Sequence, residues 1–125
     1  MIIGVGTDII EIERVKGAIE RTHERLVPRL FTELERNYCE RHKNRFQHYA
    51  GRFAAKEAAF KALGTGLASG IGWRDVEVQN ASTGKPTLVL YGRAYIQASA
   101  LGISAIHLSL SHSDYYAVAQ VIMEG

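Results

Sequence analysis

Four charged side chains lie in an alanine-rich segment, RFAAKEAAFK, at residues 52–61. Arg52 and Lys56 are four residues apart and share one face of a helix, and Glu57 and Lys61 share the next face. One interpretation is an ion pair between Glu57 and Lys61 that stabilises the helix by roughly a few tenths of a kcal/mol. The other is a site near buried surface, in which the carboxylate binds a metal ion and the lysine contacts a phosphoryl oxygen.

A second carboxylate, Asp8, ends the segment Gly4–Asp8 (GVGTD) just before a predicted helix. This segment is not a dinucleotide-binding fingerprint, because Ile9 stands where a third glycine is needed. Asp8 is either a helix-capping or turn residue or a ligand for Mg²⁺, which typically takes one or two carboxylates and completes its shell with water and substrate phosphate. Asp8 and Glu57 together would suit that arrangement. The histidines and Cys39 have no zinc-site spacing.

Three shorter motifs are candidates for contacts with a substrate. The segment Gly64–Gly66 is not a P-loop, since no Lys-Ser or Lys-Thr follows it, and it is either a flexible connector or a place where glycine amides approach a phosphate. The segment 84–86, Gly-Lys-Pro, is typical of a hairpin turn. His112 lies in the serine-rich segment 109–113, where a solvent-facing histidine is expected, and no Gly-x-Ser-x-Gly elbow supports a catalytic triad.

Three arginines recur on one face of the first predicted helix. Arg14, Arg21 and Arg25 stand at positions i, i+7 and i+11, and glutamates occupy neighbouring positions. This pattern is typical of a solvated surface of mixed charge. It also suits docking of an acidic partner, because arginine makes forked contacts with carboxylates.

The elements that must position these residues follow from hydrophobic periodicity and from capping signals. The predicted order is a strand Met1–Asp8, a helix from Glu11 to about Pro28, a helix from the Thr32–Glu35 capping box to about His42, a long helix Phe46–Leu63 stopped by Gly64, a hairpin of strands near 76–79 and 87–91, a helix Arg93–Leu101, and strands near 106–111 and 115–123. Strands at both ends with helices between them predict an α+β fold, an antiparallel sheet with helices packed on one face.

Composition limits the classes of protein that this chain can belong to. Its 125 residues predict one domain, 1–125, and its 46% hydrophobic and 22% charged content is that of a globular protein. We expect no membrane partner, because no apolar run approaches about 18 residues. Cys39 is the single cysteine, so no internal disulfide forms, and this favours the cytoplasm; we expect its thiol to be inert. A net charge of +2 does not favour nucleic acid as a partner.

The order and spacing of the motifs together resemble the holo-acyl-carrier-protein synthases, which are small phosphopantetheinyl transferases. Residues 4–12, GVGTDIIEI, resemble the opening motif of that family, and residues 51–66, GRFAAKEAAFKALGTG, resemble its second. Residues 84–86 and 109–113 are similar to the later motifs, so the resemblance covers the whole chain. It implies transfer of 4′-phosphopantetheine from coenzyme A to a serine of acyl carrier protein in fatty acid biosynthesis, with release of adenosine 3′,5′-bisphosphate. It also implies the transferase fold, Mg²⁺ dependence and a homotrimer with active sites at subunit interfaces.

The resemblance also assigns roles to individual residues. Asp8 and Glu57 match the metal-binding carboxylates, and Lys61 matches a lysine near the pyrophosphate. The first predicted helix, with Arg14, Arg21 and Arg25, matches the docking surface for the carrier protein. Positions near the coenzyme are matched by Arg52, Gly64, Thr65, Gly66, Gly84, Pro86 and His112.

Some alternatives remain open from the sequence. The base that accepts the serine proton is Glu57 or a metal-bound water. A nucleic-acid-binding module built on residues 43–46 and the first helix is one rival hypothesis, although the charge balance and the lack of a standard motif disfavour it. A non-catalytic trimeric scaffold is the other, and the intact set of Asp8, Glu57 and Lys61 argues against it.

Overall fold

The strands of this chain form two antiparallel sheets. The computed structural model describes residues 1–125, except for the side chain of residue 68. The strands are β1 (Ile2–Glu11), β2 (Val76–Asn80), β3 (Pro86–Leu90), β4 (Ala105–His112) and β5 (Tyr116–Glu124). One sheet has the order β1-β5-β4, and β2 and β3 form the other.

Five α-helices and two short 3₁₀ turns connect these strands. The helices are α1 (Ile12–Arg21), α2 (Val27–Leu30), α3 (Glu33–Glu40), α4 (Arg45–Leu63) and α5 (Gly92–Ala100), and the turns are Leu67–Ser69 and Trp73–Asp75. The predicted α+β fold, the long helix with its stop at Gly64 and the capping box of Thr32 and Glu35 are confirmed. Among the described residues, no helix combines the length and the apolar character needed to cross a membrane.

The predicted extent of the first helix is wrong. We expected it to continue to about Pro28, but α1 ends at Arg21 and Pro28 lies inside the separate helix α2. The chain between them turns at His23 and Glu24, which have φ angles of 50° and 69°. These left-handed conformations break the helical hydrogen-bond ladder, and they are uncommon for residues other than glycine.

The central packing contact joins α4 to the inner face of the three-stranded sheet. Alternate residues of β5 point toward the helix and are fully buried, whereas their neighbours face the opposite side. The helix approaches β1 so closely that a Cβ atom at Gly6 would lie 1.8 Å from the backbone oxygen of Ala58. A Cβ atom at Gly4 would lie 1.9 Å from the oxygen of Ala62. Only glycine allows this approach, which brings β1 beside the second half of α4.

A buried ion pair fixes α4 on its other side. The ammonium of Lys56 donates to Glu35 Oε1 over 2.8 Å, to the carbonyl oxygen of Trp73 over 3.0 Å and to that of Val76. Both charged side chains are fully buried. Burial lowers the pKa of Lys56 below the ordinary value of lysine, and the Glu35 carboxylate opposes this fall. Glu35 Oε2 also accepts from the backbone N–H of Val78, so one pair of side chains joins α3, α4 and β2.

Candidate active site

β1 and the second half of α4 bring Asp8 and Lys61 together. The prediction that Asp8 ends the first strand is wrong, because β1 continues to Glu11 and Asp8 pairs with Ala119 inside the sheet. Lys61 Nζ lies 3.2 Å from Asp8 Oδ1 and donates to the carbonyl oxygen of Thr7 over 2.9 Å. Among the described side chains, the ion-pair partner of Lys61 is therefore Asp8 and not Glu57, which stands one helical turn earlier. The Lys61 side chain is 53% exposed, so a substrate can approach it from solvent. The ion pair between Glu57 and Lys61, which was one interpretation of their spacing in the sequence, does not form.

Glu57 completes an arrangement of two carboxylates and one ammonium. Burial raises the pKa of Glu57, and so does the negative charge of Asp8, while Lys61 acts in the opposite direction. Both carboxylates line one groove of about 810 Å³. Two hard oxygen donors that repel each other across an open groove are stabilised when a cation binds between them.

The donor set fits Mg²⁺ better than a metal that needs a closed protein shell. Among the described residues, no group of three or more His, Cys, Asp or Glu side chains could hold a metal ion. A cation at Asp8 and Glu57 would therefore complete its coordination with water and substrate oxygens. Mg²⁺ typically binds proteins in this way, through one or two carboxylates.

The groove beside the carboxylates has one apolar wall and one charged wall. Phe53 and Trp73 form part of the apolar wall, with their rings stacked at a centroid distance of 5.2 Å. The charged residues of the lining are Arg14 and Arg21 from α1 and the carboxylates Asp8, Glu11 and Glu57. Apolar surface, two arginines and the two candidate metal ligands therefore meet in one groove.

A second group of predicted residues gathers around Asn80 at the end of β2. Arg52 is 3% exposed, its Nη2 donates to Asn80 Oδ1 over 2.6 Å, and its guanidinium lies 4.0 Å from the ring centre of Tyr38. Asn80 Nδ2 in turn donates to the carbonyl oxygen of Gly84 over 3.1 Å. Gly84 has a φ angle of 90°, which glycine adopts without strain, and Pro86 begins β3 just beyond it.

The remaining predicted residues lie at two other positions. Gly64 ends α4 with a φ angle of 73°, and the Thr65 N–H donates to the Phe60 carbonyl oxygen over 3.2 Å. Gly66 follows as the residue before the turn Leu67–Ser69. None of the residues matched to the coenzyme lines the groove that contains Asp8 and Glu57. The carboxylates and the predicted coenzyme residues therefore occupy separate surfaces of a single chain.

His112 lies near a cluster of histidines at the start of α4. It stands at the exposed end of β4 and faces Ala117 of β5 in the sheet register. The rings of His42 and His48 lie 4.2 Å apart. Burial lowers the pKa of His48 to about 4, and His42, Arg52 and His112 add to this effect because each disfavours a further positive charge.

Comparison with known proteins gives the family of this chain. The family model described as the 4′-phosphopantetheinyl transferase superfamily matches residues 4–120. This chain belongs to that superfamily. The resemblance stated from the sequence motifs is thereby confirmed, and the chain is a transferase of this type.

Relatives of this transferase match it from end to end. It is 46% identical over 124 residues to the holo-[acyl-carrier-protein] synthase of Koribacter versatilis, and the match covers 99% of both chains. It is 49% identical over 124 residues to the protein of the same name from Geobacter sulfurreducens, covering 99% of this chain and 98% of that one.

Solved structures match the fold of the transferase as well. The crystal structure of holo-[acyl-carrier-protein] synthase from Neisseria meningitidis has a TM-score of 0.90 at 32% identity, with complete coverage of both chains. The structure of the Bacillus anthracis synthase, in complex with coenzyme A (3′,5′-ADP), has a TM-score of 0.79 at 40% identity, covering 98% of this chain and 96% of that one.

One predicted feature of the transferase surface needs correction. We expected Arg14, Arg21 and Arg25 to share one helical face, but Arg25 lies in the turn beyond the end of α1. Its Nε donates to the carbonyl oxygen of Thr22 over 3.1 Å, and it does not line the groove with the other two arginines. The spacing i, i+11 predicts a shared face only while the helix continues, and left-handed residues interrupt it.

Residues that the sequence analysis did not single out also shape the transferase surface. Trp73 forms a wall of the groove, and its carbonyl oxygen accepts from the buried Lys56. Asn80 links Arg52 to Gly84. A signal existed for Trp73, which is the single tryptophan of the chain and follows the glycine-rich loop. The sequence has no signal that marks Asn80 as functional, because asparagine is common at turns.

Proposed function

We propose that this chain transfers 4′-phosphopantetheine from coenzyme A to a serine of acyl carrier protein, in the cytoplasm and in support of fatty acid biosynthesis. The observation that carries the proposal is that Asp8 and Glu57, from two adjacent elements, line one groove, and that Lys61 forms an ion pair with Asp8. Relatives with the name holo-[acyl-carrier-protein] synthase support it. So does the Bacillus anthracis structure, which was determined in complex with coenzyme A.

The reaction exchanges one phosphorus–oxygen bond for another. The serine oxygen bonds to the phosphorus next to the pantetheine, and the bond from that phosphorus to the bridging oxygen breaks. Adenosine 3′,5′-bisphosphate leaves with the electron pair. Mg²⁺ held by Asp8 and Glu57 would supply neutralisation of the pyrophosphate charge.

The protein's own residues then have two tasks. The Lys61 ammonium, fixed by the Thr7 carbonyl oxygen and Asp8, interacts with the negative charge that grows on the leaving phosphate. The serine must also lose a proton. Glu57 is our candidate to accept that proton, directly or through one water, because its carboxylate lines the groove beside Asp8, and a metal-bound water is the alternative.

The test of this function is a transfer assay with apo-carrier protein, coenzyme A and Mg²⁺, read as a mass gain on the carrier. Asp8→Asn and Glu57→Gln should each remove most of the activity, with the fold preserved and the response to added Mg²⁺ weakened. Glu13→Gln is the control, since this exposed residue of α1 lies outside the groove. Full activity with unchanged Mg²⁺ dependence in both variants would contradict the assignment of the metal site. Absence of transfer by the unmodified protein would favour the trimeric scaffold instead.

We also propose that the chain acts as a homotrimer. The outer face of the three-stranded sheet carries apolar side chains: Val5 is 51% and Ile9 62% exposed, and they stand opposite Ile122 and Val118 in the sheet register. An apolar sheet face of this kind is covered by a partner in most proteins. Association would also let the coenzyme residues of one chain meet the carboxylate groove of another.

Light scattering of two matched variants tests the trimer. Val5→Lys places a charge on the apolar sheet face and should give a monomer with reduced transfer activity. Ile96→Lys is the control, because Ile96 is also apolar and 66% exposed but lies on α5. A monomeric mass for the unmodified protein at full activity would refute the trimer.

A further inference from the structure

A second groove adjoins the one that contains the carboxylates. It lies between α2, α3 and the turn Trp73–Asp75, with a volume of about 810 Å³. Three of its lining residues are arginines, Arg29, Arg36 and Arg74, one from each of these elements. Glu33 and Asp75 also line it, so positive charge exceeds negative charge by one.

The arginines of this second groove have no carboxylate partner among the described residues. The ion pairs that arginines make in the described part of the chain belong to Arg45. Asp75 is occupied elsewhere, since its Oδ2 accepts from the backbone N–H of Gly72 over 2.8 Å. The side-chain hydrogen bonds that arginines donate within the described part of the chain come from Arg25, Arg45 and Arg52. The guanidiniums of the second groove can therefore make forked hydrogen bonds with carboxylates of a bound partner.

The two grooves form one continuous surface. Leu26, Leu30 and Trp73 line both of them, so the apolar strip that begins beside Asp8 continues into the second groove. The first groove has Arg14 and Arg21 beside three carboxylates, so the excess of positive charge on this surface lies in the second groove. A single phosphate would contact one point of this surface. An amphipathic segment with several carboxylates matches both its apolar strip and its charge.

We infer that the second groove binds an acidic segment of the acyl carrier protein, in addition to the docking surface on α1. This inference rests on the proposed function, in which the carrier protein is the second substrate. The guanidiniums of Arg36 and Arg74 pair with carboxylates of the carrier, while the coenzyme is bound elsewhere. The contacts add to the affinity for carrier protein and leave the chemical step unchanged.

The experiment is steady-state kinetics on the double variant Arg36→Glu/Arg74→Glu. The Michaelis constant for carrier protein should rise roughly tenfold, with kcat and the Michaelis constant for coenzyme A within about twofold of the unmodified protein. The matched control is Arg41→Glu/Arg93→Glu, which changes the net charge equally at residues that line neither groove. Higher salt should reduce the difference between the double variant and the unmodified protein. Thermal unfolding confirms that each variant is folded, and Arg74→Gln, at an exposed residue, is the milder variant should the double variant unfold.

Any of four other outcomes would overturn the inference. If the unmodified protein is active and the double variant keeps its carrier constant, the second groove does not bind the carrier. An equal rise in the control overturns the inference too, because the effect is then one of net charge. A rise confined to the coenzyme A constant would make the groove part of the coenzyme site. If the unmodified protein transfers nothing, the proposed function fails and this inference fails with it.

Discussion

The buried pair of Lys56 and Glu35 gives a prediction whose size follows from the contacts. Lys56→Met removes the ammonium and leaves the Glu35 carboxylate fully buried, with the N–H groups of Val78 and Thr32 as its remaining partners. The carbonyl oxygens of Trp73 and Val76 also lose their donor. Removing one member of a buried ion pair costs about 3–5 kcal/mol.

This cost is a large part of the total stability, since a domain of this kind is stable by about 5–15 kcal/mol. The double variant Lys56→Met/Glu35→Gln should recover at least about 1 kcal/mol of the loss, because no buried charge is then left without a partner. The Thr32 N–H donates to Oε1 of Glu35 and the Val78 N–H to Oε2. Glutamine keeps only one of these two acceptor oxygens, so we expect the recovery to be partial. If the losses in free energy of unfolding for the two substitutions are not additive, the two side chains interact with each other.

Equilibrium unfolding in urea measures these differences. All variants are compared at one protein concentration, because the stability of an oligomer depends on it. Lys43→Met is the matched control: Lys43 is exposed, and the same substitution there should change the free energy of unfolding by less than about 0.5 kcal/mol. A loss below about 1 kcal/mol for Lys56→Met, or no recovery in the double variant, would refute the electrostatic role given to the pair.

Three further predictions concern the close packing of β1, the histidine cluster and the chemistry. Gly6→Ala should lower the free energy of unfolding by about 3 kcal/mol in urea, because its Cβ would meet the Ala58 oxygen, whereas Gly51→Ala, with no atom within 4 Å of its Cβ, should change it little. Equal midpoints for these two variants would contradict the packing argument. His48 has a pKa of about 4 in the folded protein against 6.5 when unfolded, so the unfolded chain binds the proton first as pH falls. Stability is therefore lost between about pH 6.5 and 4, by about 1 kcal/mol after allowance for solvent screening, and His48→Gln should remove this loss from urea midpoints measured at pH 7 and 5. Lys61→Ala should lower kcat for transfer more than it raises the Michaelis constant for coenzyme A, and the reverse result would make Lys61 a binding residue.

Local signals allowed the long helix and its chemistry to be predicted from the sequence. Helical periodicity and a glycine stop define α4, and the spacing of Glu57 and Lys61 placed both on its surface. The partner of Lys61 was not predictable in this way. Asp8 is 53 residues away in sequence, and the two meet because Gly4 and Gly6 let β1 pack against the helix backbone.

The failures also have physical causes. The turn after α1 depends on left-handed conformations at His23 and Glu24, which are uncommon for residues other than glycine, so no glycine marks this turn in the sequence. Lys56 and Glu57 are adjacent and both charged, yet one is fully buried and the other lines a groove. Only the position of α3, which supplies Glu35 as a buried partner, distinguishes them.

The central position of β5 has a consequence for synthesis of the protein on the ribosome. β1 is made first, but its strand neighbour is β5, at residues 116–124, and β4 also pairs with β5. At a synthesis rate of about 5–20 residues per second, β1 remains without its partner strand for on the order of ten seconds. During that interval the nascent chain exposes an unpaired apolar strand, which is a binding site for chaperones and a risk for aggregation. A message cut short before codon 116 would leave β1 and β4 without the strand that joins them.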